Sequence, residues 1–407
     1  MNDLNDKILG MTLLAAYGDA LGAPHELAGL KGEAEDTSKN LRLRPFSACF
    51  PREKDKITEW WVWPDHMLVP REQRGMVTDD TAFRVMILEP WLLEDRPGRE
   101  AIFEDSLERW MRRHVENPPR EWPARVRERF RKMVRGWIVM FEDARRFREH
   151  PADFERSKSN PFWRPEVATI FGPFLFGELG ALFASRPRRE VFDAFVSMTS
   201  LDYGIGRLFT AQIGVLVSEA MGPASTESLD AWYARLTDEV CELAESSNLE
   251  GRGVSKSDIA DFRESWMRSR GVGRSMRKFD ENAFLKKLVA EIYQPRLRVN
   301  PHGLGAFGSR VAFEQISACV AYSGDDFRKA LRLLTSGPGD ADTLPSFLGL
   351  VFGARLGATA IRKSHASLAD DLGLVETVLS KADYFGIDLK ERVKKLAQWI
   401  ESRAKGR

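Results

Sequence analysis

Thr78-Asp79-Asp80-Thr81 sets two adjacent carboxylates between two hydroxyls, with Gly75 before them and the apolar run Val85, Met86, Ile87, Leu88 after them. This order predicts acids at the start of a helix, where the free N–H groups of the first turn and the positive end of the dipole favour carboxylates by roughly 0.3–1 kcal/mol. Carboxylates and hydroxyls together form a hard, all-oxygen ligand set suited to Mg²⁺ or Mn²⁺; a plain helix cap would use the same residue types. Near the other end of the chain, Ser336-Gly337-Pro338-Gly339-Asp340-Ala341-Asp342-Thr343 repeats the pattern of tight turn, two acids, hydroxyl and apolar helix. Facing each other in the fold, the two clusters would be halves of one site.

The elements that must position these residues read as helices. Ile8, Met11, Leu14 and Ala15 recur at helical spacing and lead into Tyr17-Gly18-Asp19-Ala20-Leu21-Gly22-Ala23-Pro24-His25-Glu26. Gly18 and Gly22 permit close backbone approach and Pro24 stops the helix, so Asp19 and Glu26 are expected near its end. Residues 27–77 read as irregular, with Trp60, Trp61 and Trp63 as an aromatic cluster. Apolar faces follow at Phe103, Leu107, Trp110, Met111 and at Val126, Phe130, Met133, Val134, Trp137, Phe141. Among the latter stand Arg125, Arg127, Arg129, Arg131, Lys132 and Arg135, mixed with Glu121, Glu128, Glu142 and Asp143, which predicts a solvated, ion-paired face; a docking face for a protein partner is the alternative.

Further helices are expected over 166–185, 189–200, 206–220, 226–249, 280–293 and 388–403, with a polar connection over 250–280 and a loop over 294–308. No run of period two is long enough to build a sheet, so the class is all-α. Gly303-Leu304-Gly305-Ala306-Phe307-Gly308 fits a dinucleotide-binding pattern in letters but lacks the strand before it. What remains is a glycine-rich turn entering a helix at Gly308-Ser309, whose N–H groups could hold a phosphate.

Composition narrows the function classes. With 407 residues, 43% hydrophobic, the chain is long enough for a sizeable core, and a formal charge of +1 gives no global field for nucleic acid or a membrane surface. Cys49, Cys241 and Cys319 have no metal or disulfide spacing, which predicts free thiols in a reducing compartment. The acidic start and the absence of a long apolar run predict neither signal peptide nor membrane span, hence a cytoplasmic protein.

Taken in order, the motifs around Gly18-Asp19, Thr78-Asp79-Asp80-Thr81 and Gly339-Asp340-Ala341-Asp342-Thr343, with the small-residue helix Gly349 to Gly357, resemble the ADP-ribosylglycohydrolase family. That family includes the dinitrogenase reductase-activating glycohydrolase and the ADP-ribosylarginine and ADP-ribosylserine hydrolases. The resemblance implies one domain, a compact orthogonal all-α bundle with insertions near 95–165 and 222–300, holding two divalent cations, Mg²⁺ with Mn²⁺ as the alternative. It implies Thr78, Asp79, Asp80, Asp340, Asp342 and Thr343 as metal ligands and Asp19, Gly308 and Ser309 on the substrate side. Asp79 or Asp80 is expected as base, with Glu26 as gate or auxiliary acid. The expected reaction removes ADP-ribose from a protein side chain or a small acceptor through an oxocarbenium-like transition state.

Two segments depart from the family pattern. Phe171-Gly172-Pro173-Phe174 stands where Gly-Asn-Gly is usual, and Thr199-Ser200-Leu201-Asp202 where a Thr-His pair is usual. These changes keep open a hydrolase of another ribosyl or glycosyl compound, or a non-catalytic binding or structural member of the family.

Overall fold

Among the residues described by the computed structural model (3–23, 80, 81, 84, 103–117, 124–160, 163, 165, 168–223, 225–297, 308–337, 340–380 and 388–405), every regular element is helical. In chain order these are α1 (Asp3–Gly22), α2 (Phe103–Glu116), α3 (Ala124–Glu149), α4 (Phe171–Phe176), α5 (Arg188–Phe195), α6 (Ile205–Ala220), α7 (Leu229–Glu245) and α8 (Lys256–Met276). There follow α9 (Glu281–Leu288), α10 (Gln294–Leu297), α11 (Ser309–Ser323), α12 (Phe327–Ser336), α13 (Thr343–Leu356), α14 (Ala358–Ser364), α15 (Ala366–Ser380) and α16 (Leu389–Lys405). The fold is all-α, and buried apolar side chains from α1 through α16 join in one contiguous core.

The pairing of α1 with α13 dominates the packing. A Cβ on Gly18 would lie 2.3 Å from the Pro345 carbonyl oxygen and one on Gly22 would lie 1.8 Å from that of Ala341. Gly349 and Gly353 meet the backbone of α1 equally closely, at Leu14 and Gly10. Only glycine lets the two backbones come this near. The far end of the pair is tied as well: the Thr359 hydroxyl at the start of α14 donates to Asp6 over 2.7 Å.

Two expectations are corrected. The polar segment 250–280 is mostly helix α8, begun by a capping box in which Ser255 and Asp258 exchange hydrogen bonds. Its apolar stripe, Phe262, Trp266, Val272 and Met276, is spread thinly among arginines, which hid it in the sequence; the stripe packs on α11, and Arg268 and Arg310 pair with Glu314. Helical structure also continues past Tyr293 to Leu297, through a π turn at Val289–Tyr293. Pro295 has no N–H to donate to the preceding turn, and such a turn commonly widens there.

Part of the arginine-rich face of α2 and α3 is engaged. Arg112 pairs with Glu108 and Glu142, Arg145 with Glu108, and Arg131 donates to the Val115 carbonyl. Burial opposes the charged form of Glu108, but hydrogen bonds from Arg145 and Arg112 outweigh it and hold the carboxyl below its ordinary range. Cys241 and Cys319 are buried free thiols, and burial pushes Cys241 up to about 12. Among the described residues no single helix is long and apolar enough to cross a membrane.

Candidate metal centre

Asp342 is the N-cap of α13, and its carboxylate accepts from the Thr343 N–H over 2.9 Å. The same N–H lies 3.3 Å from Asp340. The Thr343 hydroxyl reaches across 263 positions of sequence to donate to Asp80 over 3.0 Å, so the two acidic clusters meet. Asp80 and Thr81 are helical, and both the N–H and the hydroxyl of Thr81 donate to Asp19.

Asp19 lies in the last turn of α1, at the negative end of the helix dipole, a place unfavourable for an acid. It is held there because Gly18 and Gly22 press this turn onto the start of α13, while Thr81 supplies two donors. The outcome is three buried carboxylates, Asp19, Asp80 and Asp342, each offering an oxygen within 4.8 Å of the others.

Asp80, Asp340, Asp342 and Thr343 are thus brought together, and Asp19, expected on the substrate side, shares their centre. Thr78, Asp79 and Glu26 lie outside the described residues, as do the Trp60–Trp63 cluster and 303–307. Ser309 is placed otherwise than expected of a phosphate contact. Its N–H donates to the Ala168 carbonyl over 2.8 Å and its hydroxyl bonds the carbonyls of Ala168 and Thr169, so both donors fasten α11 to the segment before α4; Gly308 precedes it in extended conformation.

The departing central motif forms a second buried carboxylate site. Asp202 accepts from the Gly172 N–H at 2.6 Å, the Thr210 hydroxyl at 2.9 Å and the Thr169 hydroxyl at 3.2 Å. Arg207 clamps the same turn by donating to the backbone carbonyls of Val196, Thr199 and Asp202. Burial raises the Asp202 carboxyl to about 6 despite these donors. Trp137 of α3 stacks on Phe174 and meets Phe171 edge-on, so α3 packs directly on this motif.

The ADP-ribosylglycohydrolase family model matches residues 1–403. The chain belongs to the ADP-ribosylglycohydrolase family. A solved structure described as "ADP-ribosylglycohydrolase-related protein complex" is similar at 16% identity over 99% of both chains, with a TM-score of 0.48. No match was found among curated proteins. Membership in the ADP-ribosylglycohydrolase family supports a glycohydrolase-type activity.

The donor set fits a divalent cation. Three carboxylates buried side by side repel one another, and a cation between them relieves both the repulsion and the cost of burial. All the donors are oxygens, the chemistry Mg²⁺ and Mn²⁺ prefer. The 4.8 Å limit on their separation is near the span of about 4 Å across an octahedral ion with Mg²⁺-like bonds.

Proposed function

We propose that this ADP-ribosylglycohydrolase family member is a metal-dependent hydrolase that cleaves the glycosidic bond between ADP-ribose and a protein side chain or small acceptor. The observation that carries the reading is the convergence of Asp19, Asp80 and Asp342 at the meeting of α1 and α13. Asp19, Asp80, Asp340, Asp342 and Thr343, joined by Thr78 and Asp79, would hold two divalent cations, Mg²⁺ or Mn²⁺. Such cations supply Lewis acidity, orienting sugar hydroxyls and making water easier to deprotonate.

The chain's own residues have separate parts. Thr343 and Thr81 fix the orientation of Asp80 and Asp19 through their hydroxyls. Asp79 or Asp80 takes the proton of the attacking water as the bond to the leaving group breaks, and Glu26 gates the site or assists the proton transfer. The Asp202–Gly172 interlock favours a second reading. Because the central motif is filled by its own hydrogen bonds and covered by Trp137, the acceptor side could suit a different ribosyl or nucleoside-like compound.

The test is release of ADP-ribose from arginine- and serine-linked ADP-ribosyl peptides, followed with Mg²⁺, with Mn²⁺ and with chelator. Metal-dependent release that is lost in Asp342→Asn is expected. Metal-dependent turnover of other ribosyl compounds alone would favour the second reading. Turnover unaffected by chelator would overturn both.

A further inference from the structure

One helical turn from each acid of the metal centre stands a second set of residues that touch one another. Arg84 follows Asp80 by four residues, Ser346 follows Asp342 by four, and Ala15 precedes Asp19 by four. Arg84 Nη2 donates to Ser346 Oγ, which in turn donates to the Ala15 carbonyl over 2.8 Å. Residues four apart share a helix face and lie about 5–6 Å from each other. The Arg84–Ser346–Ala15 contacts therefore form a layer directly beneath the three carboxylates.

This layer carries charge. Arg84 is 2% exposed, and its Nη1 makes no hydrogen bond among the described residues. A guanidinium buried this deeply requires negative charge close by. Glu178, on the 3₁₀ turn Gly177–Phe183, interacts electrostatically with both Arg392 and Arg84. Glu178 is thus shared with a second guanidinium and does not serve Arg84 alone. The complementary negative charge lies one turn away, at Asp19, Asp80 and Asp342.

We propose that Arg84 is a built-in counter-charge for the metal centre, a fixed cation beneath Asp19, Asp80 and Asp342 that keeps the carboxylates gathered before a divalent cation binds. The proposal rests on the metal-centre reading above. Its consequence is opposite in sign to that of a packing role. A cation held under the site weakens the field that attracts metal, so its removal destabilises the metal-free protein and tightens metal binding. A residue that only packs or tethers would, when removed, lower stability equally with and without metal.

The experiment measures melting temperature with and without saturating Mn²⁺ for the wild type, Arg84→Met, Arg84→Lys and Ser346→Ala. Tighter binding to the native state enlarges the metal-induced rise. Arg84→Met is expected to melt below the wild type without metal and to show a rise roughly twice as large. Arg84→Lys and Ser346→Ala, which keep the charge, are expected to show the wild-type rise. An equal or smaller rise in Arg84→Met overturns the proposal, as does an Arg84→Met protein unfolded in both conditions. No rise in the wild type or in any variant overturns instead the metal-centre reading, and the proposal with it.

Discussion

At Asp202 a single buried carboxylate accepts from the Gly172 N–H and the Thr169 and Thr210 hydroxyls, whereas at the junction of α1 and α13 three carboxylates crowd within 4.8 Å. In the first place neutral donors surround one charge and the site is complete as it stands. In the second, Thr81 and Thr343 orient the acids through neutral donors, and three carboxylates share one buried place. Donors wrapped around one acid make structure; acids packed against acids offer a ligand set to a cation. Both centres rest on a glycine, Gly172 in one and Gly22 in the other, and the two glycines face different surroundings.

That difference is expected to dominate the energetics. Gly22→Ala drives a Cβ to 1.8 Å from a backbone carbonyl, so α1 must leave α13, at a cost of about 3 kcal/mol or more. Gly172→Ala meets the side chains of Thr210 and Asp202 at 2.1 and 2.2 Å; these can turn aside, so a smaller loss of about 1–2 kcal/mol is expected. Urea denaturation of both variants checks the order, and equal losses would dissolve the contrast.

Titration separates the centres next. A folded-state carboxyl at about 6, above its unfolded value of about 4, binds its proton more tightly in the native protein. The stability this adds is present below about pH 4 and is lost as the pH rises through about 6. The stability of the wild type relative to Asp202→Asn is therefore expected to fall by up to about 3 kcal/mol between about pH 4 and about pH 7 and then level off. Urea midpoints of the two proteins across that range supply the measurement, and parallel curves would show that the burial of Asp202 leaves no mark on its titration.

The smallest effect belongs to the surface. Arg112 is 47% exposed and shares Glu108 with Arg145, so Arg112→Ala is expected to cost less than about 1 kcal/mol and to lose most of that in high salt. A larger, salt-independent loss by thermal denaturation would mean that the face is built into the core.

Features that depend on local sequence were legible. The acids at helix starts, the hydroxyls beside them and the paired small residues of Gly18, Gly22 and Gly349 all announce themselves within a few positions, and the absence of period-two alternation gave the all-α class. Features defined by distant partners were not. An acid in the last turn of a helix, as Asp19 is, reads alone as a solvated side chain, and its donors at Thr81 lie 62 positions away. Ser309 read as a helix entry with N–H groups open to phosphate because the carbonyls that occupy it come from the distant Ala168 and Thr169. Arg84 carries no motif in the sequence; only the fold puts Ser346 against it. The stripe of α8 was masked by its arginines, whose partners include Glu245 and Glu314 on neighbouring helices.

The central claim is that Asp19, Asp80 and Asp342 together bind a divalent cation, and the most direct measurement is the amount of Mn²⁺ retained, read by electron paramagnetic resonance, in the wild type and in Asp342→Asn. The account expects stoichiometric Mn²⁺ on the wild type, displaced by excess Mg²⁺, and little or none on a folded Asp342→Asn. Equal retention by both proteins, or none by the wild type, would contradict it.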